Sequence, residues 1–195
     1  MPTQWPDPSS LPSPDAPGRA EYRATRCLPG EVAPNVLVPG DPARAAWIAS
    51  EWLDDAGPVM AQREFHTYTG AYQGVPVSVI STGIGGPGAA MVIQDLGKLG
   101  CRNVIRVGTA GSSQKAVAPG DNVIGIGAVR DEGLSHKFLP AKYPAVPNLD
   151  VTNALQTASA KRQAKVHVGV VHTSDAFRAP SLVDEIATAQ YAGVL

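Results

Sequence analysis

Three times in this chain a short apolar, β-forming run breaks into a turn of glycine and other small residues: VPGDPAR (38–44), STGIGGPG (81–88) and RVGTAGS (106–112). Such turns let backbone approach a ligand closely, because no Cβ stands in the way. In an open α/β sheet the carboxyl ends of neighbouring strands face one crevice, so three such turns predict one ligand site. Free N–H groups in the turns, and the N-termini of the helices behind them, suit an anion, above all a phosphate.

The rest of the chain supports that architecture. NVLVPG (35–40) reads as a buried strand closed by Pro-Gly. Asp41-Pro42 then gives an N-cap with proline at the first helical position, and a helix follows through ARAAWIASEWL. REFHTYTGAY (63–72) and VPVSVIST (75–82), parted by Gln73-Gly74, read as a hairpin. A helix follows Gly88, with Pro87 at its start. NVIRVGTAGS (103–112) is expected to begin as a buried strand, DNVIGIGAVR (121–130) as another, and VHVGVVHTSDAF (166–177) as a third. Helices are expected over 149–161 and 181–190. Strands alternating with helices predict an α/β domain of three layers around a central mixed, largely parallel sheet. Residues 1–30, rich in Pro, Ser and Asp, read as a flexible or loosely draped arm, and 31–195 as the domain. The chain stops on the apolar AGVL, which looks like the start of a strand, so a C-terminal part of the domain is expected to be missing.

Charge and composition exclude several function classes. The formal net charge of the 195 residues is −1, with no run of like charges, which gives no reason to expect nucleic acid or an anionic membrane as partner. No apolar stretch is long enough to span a bilayer, and the N-terminus has neither the basic nor the apolar region of a secretory signal. Cys27 and Cys101 stand in no metal-binding spacing and read as thiols of a reducing, cytoplasmic setting. His66, His136, His167 and His172 read as structural.

The STGIGGPG turn contains Gly83-x-Gly85-x-x-Gly88, the spacing of a dinucleotide fingerprint. That reading needs an acidic residue at the end of the next strand, for the ribose hydroxyls. The next strand ends Arg106-Val107-Gly108-Thr109, and the nearest downstream acid is Asp121. The fingerprint therefore fails its context. Arginine gives the alternative its substance, since a guanidinium grips phosphate oxygens through a planar, permanently charged fork. Arg44 lies one turn into the helix after Gly40. Arg106 lies in a strand just before Gly108-Thr109, where an arginine is costly unless paired.

VPGDPAR, REFHTYTG, STGIGGPGAA, RVGTAG and HTSDAF, in this order and spacing, resemble the nucleoside phosphorylase family that contains uridine phosphorylase and the hexameric bacterial purine nucleoside phosphorylases. The resemblance runs from about Gly30 to Leu195. It implies a phosphorylase/hydrolase-like fold and a reaction in which inorganic phosphate attacks the anomeric carbon of a nucleoside, giving free base and a pentose 1-phosphate. No metal or organic cofactor is implied; phosphate is the co-substrate. By position, Gly40, Arg44, Arg106 and Thr109 match the family's phosphate site, with Arg106 and Thr109 in the catalytic role. Arg63 matches an arginine lent to a neighbouring subunit's phosphate, which implies a homo-oligomer, a hexamer built from dimers. Ala110 and Gly111 match the backbone lining the base and ribose pocket, and Phe177 the aromatic residue against the base.

The sequence departs from the family pattern in three places. The histidine that usually follows a tyrosine near the N-terminus is replaced by Arg23 after Tyr22. Ser181 and Val183 stand near the places of the glutamine and arginine that read uracil. No residue matches the family's ribose-binding glutamate or base-protonating aspartate. AVRDEGLSHKFLP and KYPAVPNLD look more like the uridine branch, while the base-reading positions leave purine nucleosides open. Two further readings remain on the sequence alone: a hydrolase of the same fold, against which three arginines count, and a truncated, non-catalytic binder of nucleoside or phosphate.

Overall fold

NVLV forms β1 (Asn35–Val38), whose side chains alternate half-buried and buried, because both faces of this strand are covered by helices. The computed structural model describes residues 10–177 and Gly193. Contacts divide the chain into two compact units, Met1–Thr109 and Ala110–Leu195.

In the first unit β1 is followed by α1 (Pro42–Trp52), β2 (Asp54–Gln62), β3 (Phe65–Tyr72), β4 (Val75–Ile80), α2 (Gly86–Lys98) and β5 (Asn103–Arg106). The sheet order is β2-β3-β4-β1-β5. β2, β3 and β4 form an antiparallel meander, and β4, β1 and β5 run parallel. The sheet is thus mixed, with a hairpin excursion where REFHTYTGAY and VPVSVIST predict one. Gln73 and Gly74 turn that hairpin with φ of 50° and 78°, the left-handed pair that matches strand twist.

The helices make this unit three-layered. α1 buries Ala45, Ile48 and Ala49 against Tyr68 and Val79 on one face of the sheet. α2 buries Val92 and Leu96 against Val36, Val38 and Ile80 on the other. The Asp41 side chain accepts from the Ala43 N–H at 2.9 Å, and Pro42 follows at the helix start, which is the cap the sequence predicts. Tyr68 is 6% exposed and its hydroxyl has no hydrogen-bond partner among the described residues; burial raises its pKa.

One strand stands where the sequence suggests none, and one expectation needs correction. DDAGPVMAQ forms β2 although it carries Asp54, Asp55, Gly57 and Pro58. Register shifts between Asp54 and Gly57 and between Pro58 and Met60 absorb the residues that fit a regular ladder poorly, and an edge strand tolerates proline. β5 is not buried: three of its four residues are exposed, because it is the other edge of its sheet.

The reading of 1–30 as a loosely draped arm is also corrected from Arg19 onward. Arg19, Tyr22, Ala24, Thr25 and Cys27 are buried. The buried carboxylate of Asp95, on α2, accepts at Oδ2 from the backbone N–H groups of Ala24 and Thr25, both at 2.9 Å. Arg19 makes a two-pronged ion pair to Glu31, at 2.6 and 2.8 Å, and also donates to the Arg26 carbonyl. The Cys27 thiol, donating to the Thr25 carbonyl oxygen, is pushed up to about 11 by burial and stays protonated.

The second unit carries β6 (Asn122–Asp131), α3 (Leu149–Lys161) and β7 (Val166–Ser174), with β6 and β7 paired in parallel. The expected strand at 166–177 is real but only half-buried, because its sheet is two-stranded. Asp121 joins the strand starts by accepting from His167 at 2.9 Å and Lys165 at 2.7 Å. Arg130 fastens the segment after β6, donating to the carbonyls of Leu139, Pro140 and Tyr143. The helix expected at 181–190 lies outside the described residues.

Glu31 gives the first unit an acid-sensitive tie. The Arg19 hydrogen bonds, helped by the Leu28 N–H, hold its carboxyl below its ordinary value near 4.5. A depressed carboxyl contributes stability above its unfolded pKa and loses it as pH falls through the folded one. Denaturant unfolding of the chain and of Glu31→Gln at pH 7 should differ by about 1–3 kcal/mol. The gap should shrink as pH is lowered below 4.5; a pH-independent gap would contradict the assignment.

Candidate functional site

Because β4, β1 and β5 are parallel neighbours, their carboxyl ends leave the sheet at one edge. The ladder continues past the strands into the turns. Thr82 N donates to the Pro39 carbonyl at 3.0 Å, Gly83 N to that of Gly40 at 2.9 Å, and Val107 N to that of Val38 at 3.3 Å. The three small-residue turns are therefore held side by side by backbone hydrogen bonds.

Glycine is required at specific points of this cradle. Gly83 and Gly85 have φ of 69° and 88°, where a side chain is strained. A Cβ on Gly88 would collide with the Thr82 carbonyl oxygen. A Cβ on Gly40 would lie 3.2 Å from both Arg106 Nη2 and the Gly83 carbonyl oxygen.

Arg106 closes β5 opposite Val38. Its Nη1 donates to the carbonyls of Val38 at 3.1 Å and Val107 at 2.8 Å, which orients the guanidinium and leaves Nη2 beside Gly40. Desolvation, then the positive charge of Arg44, lower the Arg106 pKa. The two guanidinium groups are thus close enough to repel. Among the described residues Arg44, Arg63 and Arg106 form no ion pair. Two like charges held together without a carboxylate favour an anion between them.

Of the sequence-derived candidates, the structure sets Arg106 against Gly40, with Arg44 near enough for its charge to act on Arg106, and Thr109 follows two residues beyond Val107. Arg63 sits in the β2–β3 loop, exposed, and does not act on Arg106 as Arg44 does. Ala110 and Gly111 are exposed at the start of the second unit, and Phe177 follows β7 there, 94% exposed. Ser181 and Val183 lie outside the described residues. Among the described residues, no three His, Cys, Asp or Glu side chains are gathered as a metal centre needs.

Sequence reasoning passed over Ser81 and Thr82, both buried. Thr82 Oγ1 donates to the carbonyls of Pro39 and Gly83 and so ties two of the turns. Ser81 binds the loop carrying Arg63. The signal was present: two hydroxyls in succession between an apolar strand and a glycine turn can satisfy loop carbonyls that no ladder reaches.

The phosphorylase superfamily matches residues 34–195. The chain is 45% identical to a uridine phosphorylase of Thermococcus kodakarensis over 151 residues, which cover 77% of this chain and 54% of that protein. It is 36% identical to a guanosine phosphorylase of Halorubrum lacusprofundi, covering 76% and 61%. The fold superposes with a TM-score of 0.86 on a uridine phosphorylase of Vibrio fischeri solved with 6-hydroxy-1-naphthoic acid, at 29% identity over 89% of this chain and 71% of that one. The chain spans about half the length of the curated uridine phosphorylases it matches.

The glycines of the cradle should separate into two kinds on substitution. Gly88→Ala drives a Cβ into backbone and should cost about 1–3 kcal/mol by denaturant unfolding. Gly108→Ala meets only the tip of the Arg106 side chain, 2.9 Å away, and should cost less than about 1 kcal/mol. Equal losses would mean that Gly88 is not packed as described.

Proposed function

This chain belongs to the phosphorylase superfamily, and from that premise we propose that it takes part in phosphorolysis of nucleosides, uridine-like ones first. The observation that carries the reading is Arg106 held at the glycine cradle with the charge of Arg44 acting on it, neither of them ion-paired among the described residues. In this reading inorganic phosphate lies across the turns. Its charge is met by both guanidinium groups, the Thr109 hydroxyl and the backbone beside Gly40. A phosphate oxygen attacks the anomeric carbon as the bond to the base nitrogen breaks, and the electron pair leaves with the base. Fixed positive charge beneath the sugar holds the nucleophile against a centre that is itself becoming positive. For base and ribose the candidates are those the resemblance gives, Ala110, Gly111 and Phe177. No cofactor is required beyond phosphate.

Arg63 serves a second copy of the chain in this proposal, as the resemblance implies for the arginine at that position. A homo-oligomer, with the dimer as the unit that completes each phosphate site, follows. The protonated thiols accord with a cytoplasmic location. A purine preference is the second reading, favoured by the likeness to a guanosine phosphorylase and by Ser181 and Val183 where uracil readout would need other side chains.

Base release from uridine, inosine and guanosine, with and without inorganic phosphate, tests the proposal. Phosphate-dependent release is expected, and the best substrate identifies the branch. Release independent of phosphate would overturn it in favour of hydrolysis. Arg106→Ala should weaken inorganic phosphate binding roughly 10- to 100-fold, the worth of charge-assisted hydrogen bonds. Nucleoside affinity should change far less; equal loss of both would make Arg106 a structural residue.

A further inference from the structure

The loop that carries Arg63 is held more tightly than a solvent-facing hairpin tip requires. Gln62 pairs with Phe65, so Arg63 and Glu64 form a two-residue loop. Arg63 has φ 53°, a conformation that favours glycine, asparagine or aspartate at such a turn. In the β3–β4 hairpin Gln73 holds the corresponding place at φ 50° and is followed by Gly74; Arg63 is followed by Glu64.

The Arg63–Glu64 loop is held by side chains. Ser81 is fully buried just beyond β4. Its Oγ donates to the Glu64 carbonyl at 2.6 Å and accepts from the His66 N–H at 2.9 Å. The His66 ring donates from Nε2 to the Arg63 carbonyl at 2.8 Å, since a carbonyl oxygen only accepts. Both carbonyls of the loop are therefore tied by side chains, and the Glu64 stem lies on Gly83 of the cradle. The guanidinium itself remains exposed, with no ion pair among the described residues. A strained residue fixed on this scale beside a ligand cradle marks pre-organisation.

We propose that Ser81 and His66 are positioning residues, which hold the Arg63 loop in its left-handed conformation so that the guanidinium is presented ready to bind phosphate. The inference rests on the phosphorolytic reading for the ligand, and on the loop geometry alone for the bracing.

The test measures inorganic phosphate binding by calorimetry on the full chain and on Ser81→Ala, His66→Leu, His66→Gln and Arg63→Ala. The first two substitutions are repeated in the Arg63→Ala background, and amide exchange is followed over residues 63–66. Ser81→Ala and His66→Leu should each weaken phosphate about three- to tenfold, and His66→Gln, which keeps an N–H at the same reach, about twofold or less. Neither loss should persist once Arg63 is alanine. Persistence there, or no loss where Arg63→Ala alone weakens binding, would overturn the proposal. A wild-type chain that binds no phosphate would defeat the phosphorolytic reading, and amide exchange then decides the bracing by itself. Faster exchange confined to 63–66 in Ser81→Ala upholds it, and unchanged exchange overturns it.

Discussion

The parallel register of β4, β1 and β5 is the constraint from which the site follows. Parallel neighbours end on the same side, so three turns distant in sequence become adjacent without any contact designed between them. The backbone ladder then runs on through Thr82–Pro39 and Gly83–Gly40, and the cradle is in effect the last rung of the sheet. Its shape is as durable as the strand pairing beneath it. Side chains have only to add charge, which Arg44 does from the first turn of α1 and Arg106 from the last position of β5. Orientation of Arg106 by the Val38 and Val107 carbonyls costs no carboxylate, so its charge remains available.

Local chemistry was legible in the sequence, and long-range chemistry was not. The Asp41-Pro42 helix start, the Gln73-Gly74 hairpin and the helix over 149–161 are each specified by residues within a few positions of one another, and the structure has them. β2 escaped notice because Asp54, Gly57 and Pro58 spoil the alternation that signals a strand, and pairing with β3 overrides that local preference. The exposure of β5 and β7 was equally invisible, since an apolar run says that a strand is suited to burial and not how many neighbours cover it.

The site divides in the same way. The glycines and arginines could be read because their spacing along the chain reports strand ends. Ser81 and Thr82 signal only that some loop carbonyl needs a partner, since the turns they meet come from other stretches and nothing in a hydroxyl names its carbonyl. His66 reaches back three residues to Arg63, but an imidazole in a strand does not announce that. Asp95 is the clearest instance. It occupies the buried face of α2, between Val92 and Leu96, where a carboxylate is anomalous unless something distant needs it.

That distant need has a consequence for how the protein is made. The backbone N–H of Ala24 waits for a carboxylate 71 residues further on. At a synthesis rate of about 5–20 residues per second, residues 19–31 leave the ribosome several seconds before α2 exists to receive them. During that interval Arg19 and Glu31, 12 residues apart, can already pair. An exposed ion pair contributes too little to order that loop by itself, so the segment closes for good only when α2 arrives. The polar composition of the N-terminal stretch then has a use: it keeps a segment destined for burial compatible with water until its partner is translated.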